Sequence, residues 1–113
     1  MRAASDAVLL RIFVGEEDRH SGRATYEALV AKALEHKLAG ATVLHAPEGF
    51  GRSRYVRSER NVDSGACAPM VVEIVDTEDR INAFVSVVSD MIESGIMTLE
   101  KVRAFRSRRP DPS

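Results

Sequence analysis

The chain has 113 residues, 44% of them hydrophobic and 29% charged, with a formal net charge of −1. That length suits one compact domain with one core and leaves little slack for a second. The balanced charge lacks the basic excess expected of a general nucleic-acid binder, and no apolar run approaches the length that spans a bilayer.

The single cysteine, Cys67, rules out an internal disulfide and fits a reducing compartment. Residues 1–6 do not read as a secretory signal and are expected to be a flexible N-terminus. A soluble cytoplasmic protein without direct membrane insertion is the expectation. Docking onto a membrane protein stays open.

From Ala7 to Gly15 the chain alternates, with Val8, Leu10, Ile12 and Val14 on one face and Leu9, Arg11 and Phe13 on the other. This pattern predicts a strand with both faces largely apolar. Residues 16–22 are polar and turn-like. Tyr26, Leu29, Val30, Ala33, Leu34 and Leu38 then recur at helical spacing, with Ser21 or Gly22 expected to cap the start and Gly40 the end. Ala41 to Ala46 reads as a second strand. Pro47 ends it, and a long polar, Arg-rich loop runs over 47–68.

Pro69 opens a third strand, Met70 to Val75, rich in β-branched residues. Asp76 or Thr77 is placed to cap a second helix, whose first turn carries Glu78 and Asp79 at the positive end of its dipole. Ile81, Phe84, Val85, Val88 and Ile92 form its apolar stripe, and Gly95 stands where a left-handed stop is expected. Ile96 to Phe105 is the last strand, and 106–113 reads as a flexible tail.

The order β-α-β-loop-β-α-β predicts an α+β, ferredoxin-like sandwich occupying residues 7–105 as a single domain. Two helices cover one face of such a sheet and leave the other bare. Leu9, Phe13, Val71 and Val75 lie on that second face and need cover, which homo-oligomerisation supplies most simply.

Five segments in order carry a family resemblance: Leu10 to Glu16, Leu38 to Val43, Glu48 to Gly51, Val72 to Glu78 and Thr98 to Val102. Across residues 7–104 the chain resembles the DUF190 family of the PII-like signalling superfamily. The resemblance implies a ferredoxin-like fold and a homotrimer. Gly49-Phe50-Gly51-Arg52 is also similar to the Gly-Phe-Gly-Arg at the base of the PII loop, which helps hold ATP or ADP between subunits. The second phosphate-holding segment of PII, of Gly-Asp-Gly-Lys type, has no counterpart here, since Gly95 runs straight into Ile96-Met97-Thr98-Leu99. Other anionic effectors therefore stay open beside ATP.

Gly49, Phe50, Gly51 and Arg52 are thus the candidate ligand-binding residues, with Arg54, Arg11 and Arg103 as further candidates. Glycines flanking Phe50 let backbone N–H groups approach an anion, and Arg52, Arg54, Arg57 and Arg60 follow within the same loop. Lys101 and Arg103 fall on one strand face, which Arg11 is expected to share. Glu73 sits inside an apolar strand and requires a partner such as Arg11 or Arg103. Solvated loop and tail arginines are the plainer alternative.

The acidic run Glu16, Glu17 and Asp18 lacks a metal-binding pattern, His20, His36 and His45 lack metal spacing, and Cys67 has no neighbouring base. No catalytic or metal site is expected. A small enzyme using Glu16 or Asp18 is the least favoured alternative.

The expected function is that of a non-enzymatic PII-like regulator. A small anionic effector, an adenine nucleotide such as ATP, ADP, AMP or a cyclic nucleotide, would bind at inter-subunit clefts and order the 52–66 loop. The ordered loop would then act on a protein target such as a membrane transporter. Alternatives are a metal-responsive trimer of the divalent-ion-tolerance type and an interaction module with no small ligand. No cofactor is required, and no nucleic-acid partner is expected.

Overall fold

The structure, a computed structural model, describes residues 4–45, 69–92 and 95–105. Its elements are β1 (Ser5–Gly15), β2 (Arg19–His20), β3 (Arg23–Ala24), α1 (Thr25–Glu35), β4 (Thr42–His45), β5 (Pro69–Asp76), α2 (Glu78–Val88) and β6 (Ile96–Ala104), with a 3₁₀ turn at Ser89–Met91 after α2. The main sheet runs β4-β5-β1-β6, and every neighbouring pair in it is antiparallel. This is the ferredoxin-like arrangement expected from the element order, with α1 and α2 on one side.

Alternation in β1 sets which face is covered. Val8, Leu10, Ile12 and Val14 are buried, and register places Met70, Val72 and Ile74 of β5 beside them. Leu29 and Ala33 from α1 and Ile81, Phe84 and Val88 from α2 close this side into one apolar cluster. A buried phenylalanine or leucine contributes roughly 1.5–3 kcal/mol relative to its exposed state, so this layer carries most of the stability.

The other face carries Leu9, Arg11 and Phe13 from β1, Val71, Glu73 and Val75 from β5, Thr42 and Leu44 from β4, and Ile96, Thr98, Glu100 and Val102 from β6. No described element covers it. Phe13, Leu44, Val75 and Ile96 are each more than one-third exposed.

Three local expectations are corrected. Ser21 and Gly22 do not cap α1; both take positive φ, 52° and 85°, at the tip of the β2–β3 hairpin. Two such residues in succession match the right-handed twist of a tight hairpin. The N-cap of α1 is Ala24, which makes no side-chain cap bond.

Gly40 does not end α1. Lys37 takes the left-handed conformation (φ 58°), its N–H donating to the Leu34 carbonyl at 3.0 Å while the Leu38 N–H donates to Ala33 at 3.1 Å. That paired arrangement closes the helix without glycine. Gly95 likewise is not in the left-handed region. It must be small because a Cβ there would lie 2.5 Å from the Phe13 carbonyl oxygen. By contrast, Thr77 caps α2 as expected, its hydroxyl accepting the Arg80 N–H at 3.3 Å.

Candidate functional site at the loop end of the sheet

Antiparallel pairing brings four chain ends to one edge of the molecule. There β1 ends at Gly15 opposite Pro69, β4 ends at His45 opposite Met70, and β6 begins at Ile96 opposite Phe13. The connection 46–68 leaves after His45 and re-enters at Pro69. Gly49, Phe50, Gly51, Arg52 and Arg54, with Arg57, Arg60 and Cys67, lie in it and outside the described residues, as does the 106–113 tail.

The described residues at this root are already engaged with one another. The Asp18 carboxylate accepts the Gly15 N–H at 2.8 Å, and the Asp18 N–H donates to the Gly15 carbonyl at 3.1 Å. The Asp18 carbonyl accepts from Thr25 N–H at 2.8 Å, which ties the turn to the start of α1. Asp18 is therefore held as a turn anchor. Glu16 reaches across to His45, Oε1 to Nε2 at 3.5 Å, joining the end of β1 to the last described residue before the loop. His36 lies edge-on to the buried Phe84, ring centroids 6.2 Å apart. Among the described residues no group of three or more His, Cys, Asp or Glu side chains is placed to hold a metal ion.

Arg11 and Arg103 do not share a face. Register puts Arg11 opposite Thr98 and Glu73, whereas Lys101 faces Val8 and Arg103 faces Asp6 on the helix side of the sheet. The one-residue offset along β6 decides this, because neighbouring strand residues point to opposite sides. Arg11 stands at the centre of the open face. Its Nε donates to Glu73 Oε2 at 2.8 Å, and one terminal nitrogen lies 3.4 Å from Glu100 Oε1. The hydrogen bond to Glu73 raises the Arg11 pKa further above its ordinary value, although burial works in the other direction. Glu73 thus has the partner its strand position demands, and Arg11 is committed to it.

Glu100 is the residue that sequence reading missed. Period-two alternation along β6 separates Thr98, Glu100 and Val102 from Leu99, Lys101 and Arg103, but only the strand register assigns the first set to the open face.

A second polar cluster occupies the opposite end of the sheet, in a cleft of about 640 Å³ lined by Asp6, Lys37, Ala39, Asp76, Thr77 and Arg80 among others. The Asp76 carboxylate accepts N–H bonds from Thr77 at 2.7 Å and Ala39 at 2.9 Å, and pairs with Arg80 Nε at 3.2 Å. Burial alone would push the Asp76 carboxyl up. The Thr77 and Ala39 N–H groups and the Arg80 guanidinium outweigh it and hold the pKa below the ordinary aspartate value. Arg80 also donates to the carbonyls of His36 and Lys37, which directly follow α1. This cluster pins the end of α1 to the start of α2.

The fold is similar to that of solved PII-like proteins. CPII from Thiomonas intermedia K12, a nitrogen regulatory PII-like protein solved bound to ADP, AMP and bicarbonate, superposes with a TM-score of 0.70, covering 92% of each chain at 12% identity. A PII-like signalling protein from Thermus thermophilus superposes at 0.65, covering 91% of this chain and 93% of its own at 15% identity. In sequence, a UPF0166 protein of Aquifex aeolicus (strain VF5) is 36% identical over 97 residues, 86% of this chain and 91% of its own. The model of the DUF190 family, described as uncharacterized ACR, matches residues 7–104, and the chain belongs to that family.

Among the described residues no helix is long and apolar enough to cross a membrane.

Proposed function

We propose that this protein is a non-enzymatic PII-like regulator. It assembles as a homotrimer with its open sheet faces turned inward, and takes a small anionic effector where the loop roots of neighbouring copies meet. The effector class is an adenine nucleotide, ADP or AMP before ATP, and bicarbonate is a further candidate. Gly49, Phe50, Gly51 and Arg52 would contact the ligand, and the 46–68 segment would carry its state to a protein target. The supporting observation is the match over nearly the whole chain to CPII, whose structure holds ADP, AMP and bicarbonate. The missing second glycine-lysine segment after α2 favours a ligand with fewer phosphates than ATP.

Isothermal titration with ADP, AMP, ATP and a cyclic nucleotide, each with and without bicarbonate, tests this reading. Saturable heat with at least one nucleotide is expected, and Arg52→Ala should weaken it at least tenfold while the assembly stays intact. No heat from any of them, with protein verified as folded and associated, removes the nucleotide version. Regulation then requires only that the effector bind two states of the protein with different affinity.

A further inference from the structure

We infer that the end of the sheet opposite the 46–68 connection docks an acidic peptide segment of a partner protein. An apolar side chain of that segment sits against Phe105, and its carboxylates meet Lys37, Lys101 and Arg103. This surface goes beyond the nucleotide reading and is independent of it.

Charge is divided unevenly along the chain. Residues 101–113 carry Lys101, Arg103, Arg106, Arg108 and Arg109 against one acid, Asp111, a side-chain charge of +4. With −1 overall, residues 1–100 therefore carry −5. A basic segment on an otherwise acidic protein attracts an anionic partner to one place while the rest of the surface repels it. Antiparallel pairing puts the described part of that segment at the end of the sheet, with Arg103 opposite Asp6 and Ala104 opposite Ser5. Arg106, Arg108 and Arg109 follow Phe105 within four residues, and so short a stretch cannot carry their backbone more than about 14 Å from it.

The surface at this end is concave and partly apolar. The cleft of about 640 Å³ has Phe105, Val75, Ala39 and Ala104 among its walls, and Phe105 is 61% exposed. A smaller recess of about 240 Å³ is lined by Lys101, Val102 and Arg103 of β6 and by Glu78 at the start of α2. The two share Asp6 and Ala7, so they form one groove around the start of β1. Lys37 joins the cleft from the turn that closes α1. Among the described residues Lys37, Lys101 and Arg103 form no ion pair, whereas Arg80 is already held by Asp76 and the carbonyls of His36 and Lys37. Asp6 and Glu78 are the groove's remaining acids, outnumbered by these three cations before the arginines after Phe105 are added.

A peptide fits this combination better than a bilayer or a free anion. A bilayer surface takes a broad apolar face laid flat on it, and here the apolar contact is Phe105 at a concave recess. A small anion needs donors converging on one point, whereas Lys37 and the β6 cations line different parts of the groove. A recess with room for an apolar side chain and a cationic rim matches an anchor residue flanked by carboxylates. The apolar contact slows release and the charges speed encounter, so added salt weakens capture without removing the anchor.

Fluorescence anisotropy of the full chain with labelled peptides of alternating Glu and Ser, with or without one central Leu, tests this. The Leu-bearing peptide should bind at least tenfold more tightly than the all-polar one, and both should weaken as salt is raised. Lys101→Glu combined with Arg103→Glu, at exposed positions that leave folding intact, should weaken binding at least tenfold. Phe105→Ser should remove the advantage of the Leu peptide and leave the salt dependence in place. Arg57→Glu combined with Arg60→Glu should change nothing; a loss there instead assigns capture to the 46–68 connection and overturns the inference. Absent binding, equal binding of the two peptides, or binding untouched by the Lys101 and Arg103 changes also overturns it. Vesicles of phosphatidylcholine and phosphatidylserine that bind where the peptides do not would make the partner a lipid surface. Self-association abolished by the same two changes, with no peptide captured, would make the occupant a second copy, and either result counts against the inference.

Discussion

The two faces of the sheet come from the same strands and obey opposite rules. On the helix side, Leu10, Ile12, Val72 and Ile74 are almost wholly buried, and their neighbours Phe84 and Ile81 seal them from water. On the other side, residues one position along the same strands leave Phe13 and Val75 each 37% exposed, around an ion cluster. One face is finished within the chain. The other leaves apolar side chains open around charged ones, which teaches that two faces of one sheet need not be finished by the same chain segments.

The largest expected effect comes from breaking the finished face. Phe84→Ala should cost about 3–5 kcal/mol of folding stability in chemical denaturation, since a fully enclosed ring leaves a cavity. The matching change on the open face, Phe13→Ser, should cost the isolated fold less than about 1 kcal/mol and show itself as weaker association. Equal loss of folding stability from both variants would mean that the two faces are not different in kind.

Next in size is Gly95→Ala. The new methyl would collide with backbone at Phe13, which cannot rotate away, so a loss of about 1–3 kcal/mol is expected by thermal or chemical unfolding. A stability unchanged from the parent would show that the connection between α2 and β6 can move off β1.

An effect smaller than that of Gly95 is electrostatic and belongs to the covered side. Asp76→Asn should cost about 1–2 kcal/mol at pH 7, because two N–H donors and Arg80 converge on a carboxylate. Its depressed pKa fixes the sign. The contribution is complete above the unfolded-state value near 4 and disappears as pH falls through the folded-state value. The gap between parent and variant should therefore begin to shrink near pH 4 and close only below the folded-state value, and a gap that persists below that value would assign the effect to packing instead.

Much of this architecture was legible from residue order. The alternation in β1 and the 3.6-residue spacing of Ile81, Phe84, Val85 and Val88 require no knowledge of distant partners, and both elements form there, although α2 ends at Val88 and the expected stripe residue Ile92 lies beyond the 3₁₀ turn in extended backbone. β1 begins at Ser5, slightly before the alternation becomes apolar, because β6 extends its pairing out to Ala104. The errors arose where local signals competed with tertiary ones. Glycine at 40 looked like a helix stop, but Lys37 adopts the left-handed turn because Arg80 from α2 holds the adjoining carbonyls. The Glu73 partner could be named from the cost of a lone charge in an apolar strand. The Arg11–Arg103 association could not, because facing depends on a register that period-two counting leaves undetermined by one residue. Of the candidate ligand residues, Gly49 to Arg52 rest on the family resemblance and on their place in the sequence after His45, outside the described residues.

That root has an engineering consequence. The ladder between β4 and β5 is maintained to His45 opposite Met70, so the stretch between them departs from and returns to adjacent rungs. Joining two points already held side by side makes chain length inexpensive: doubling such a connection costs only about 0.6 kcal/mol in closure entropy. The four-stranded platform can therefore accept connections of different length without rebuilding its core, and a lengthened connection should leave its unfolding midpoint scarcely moved.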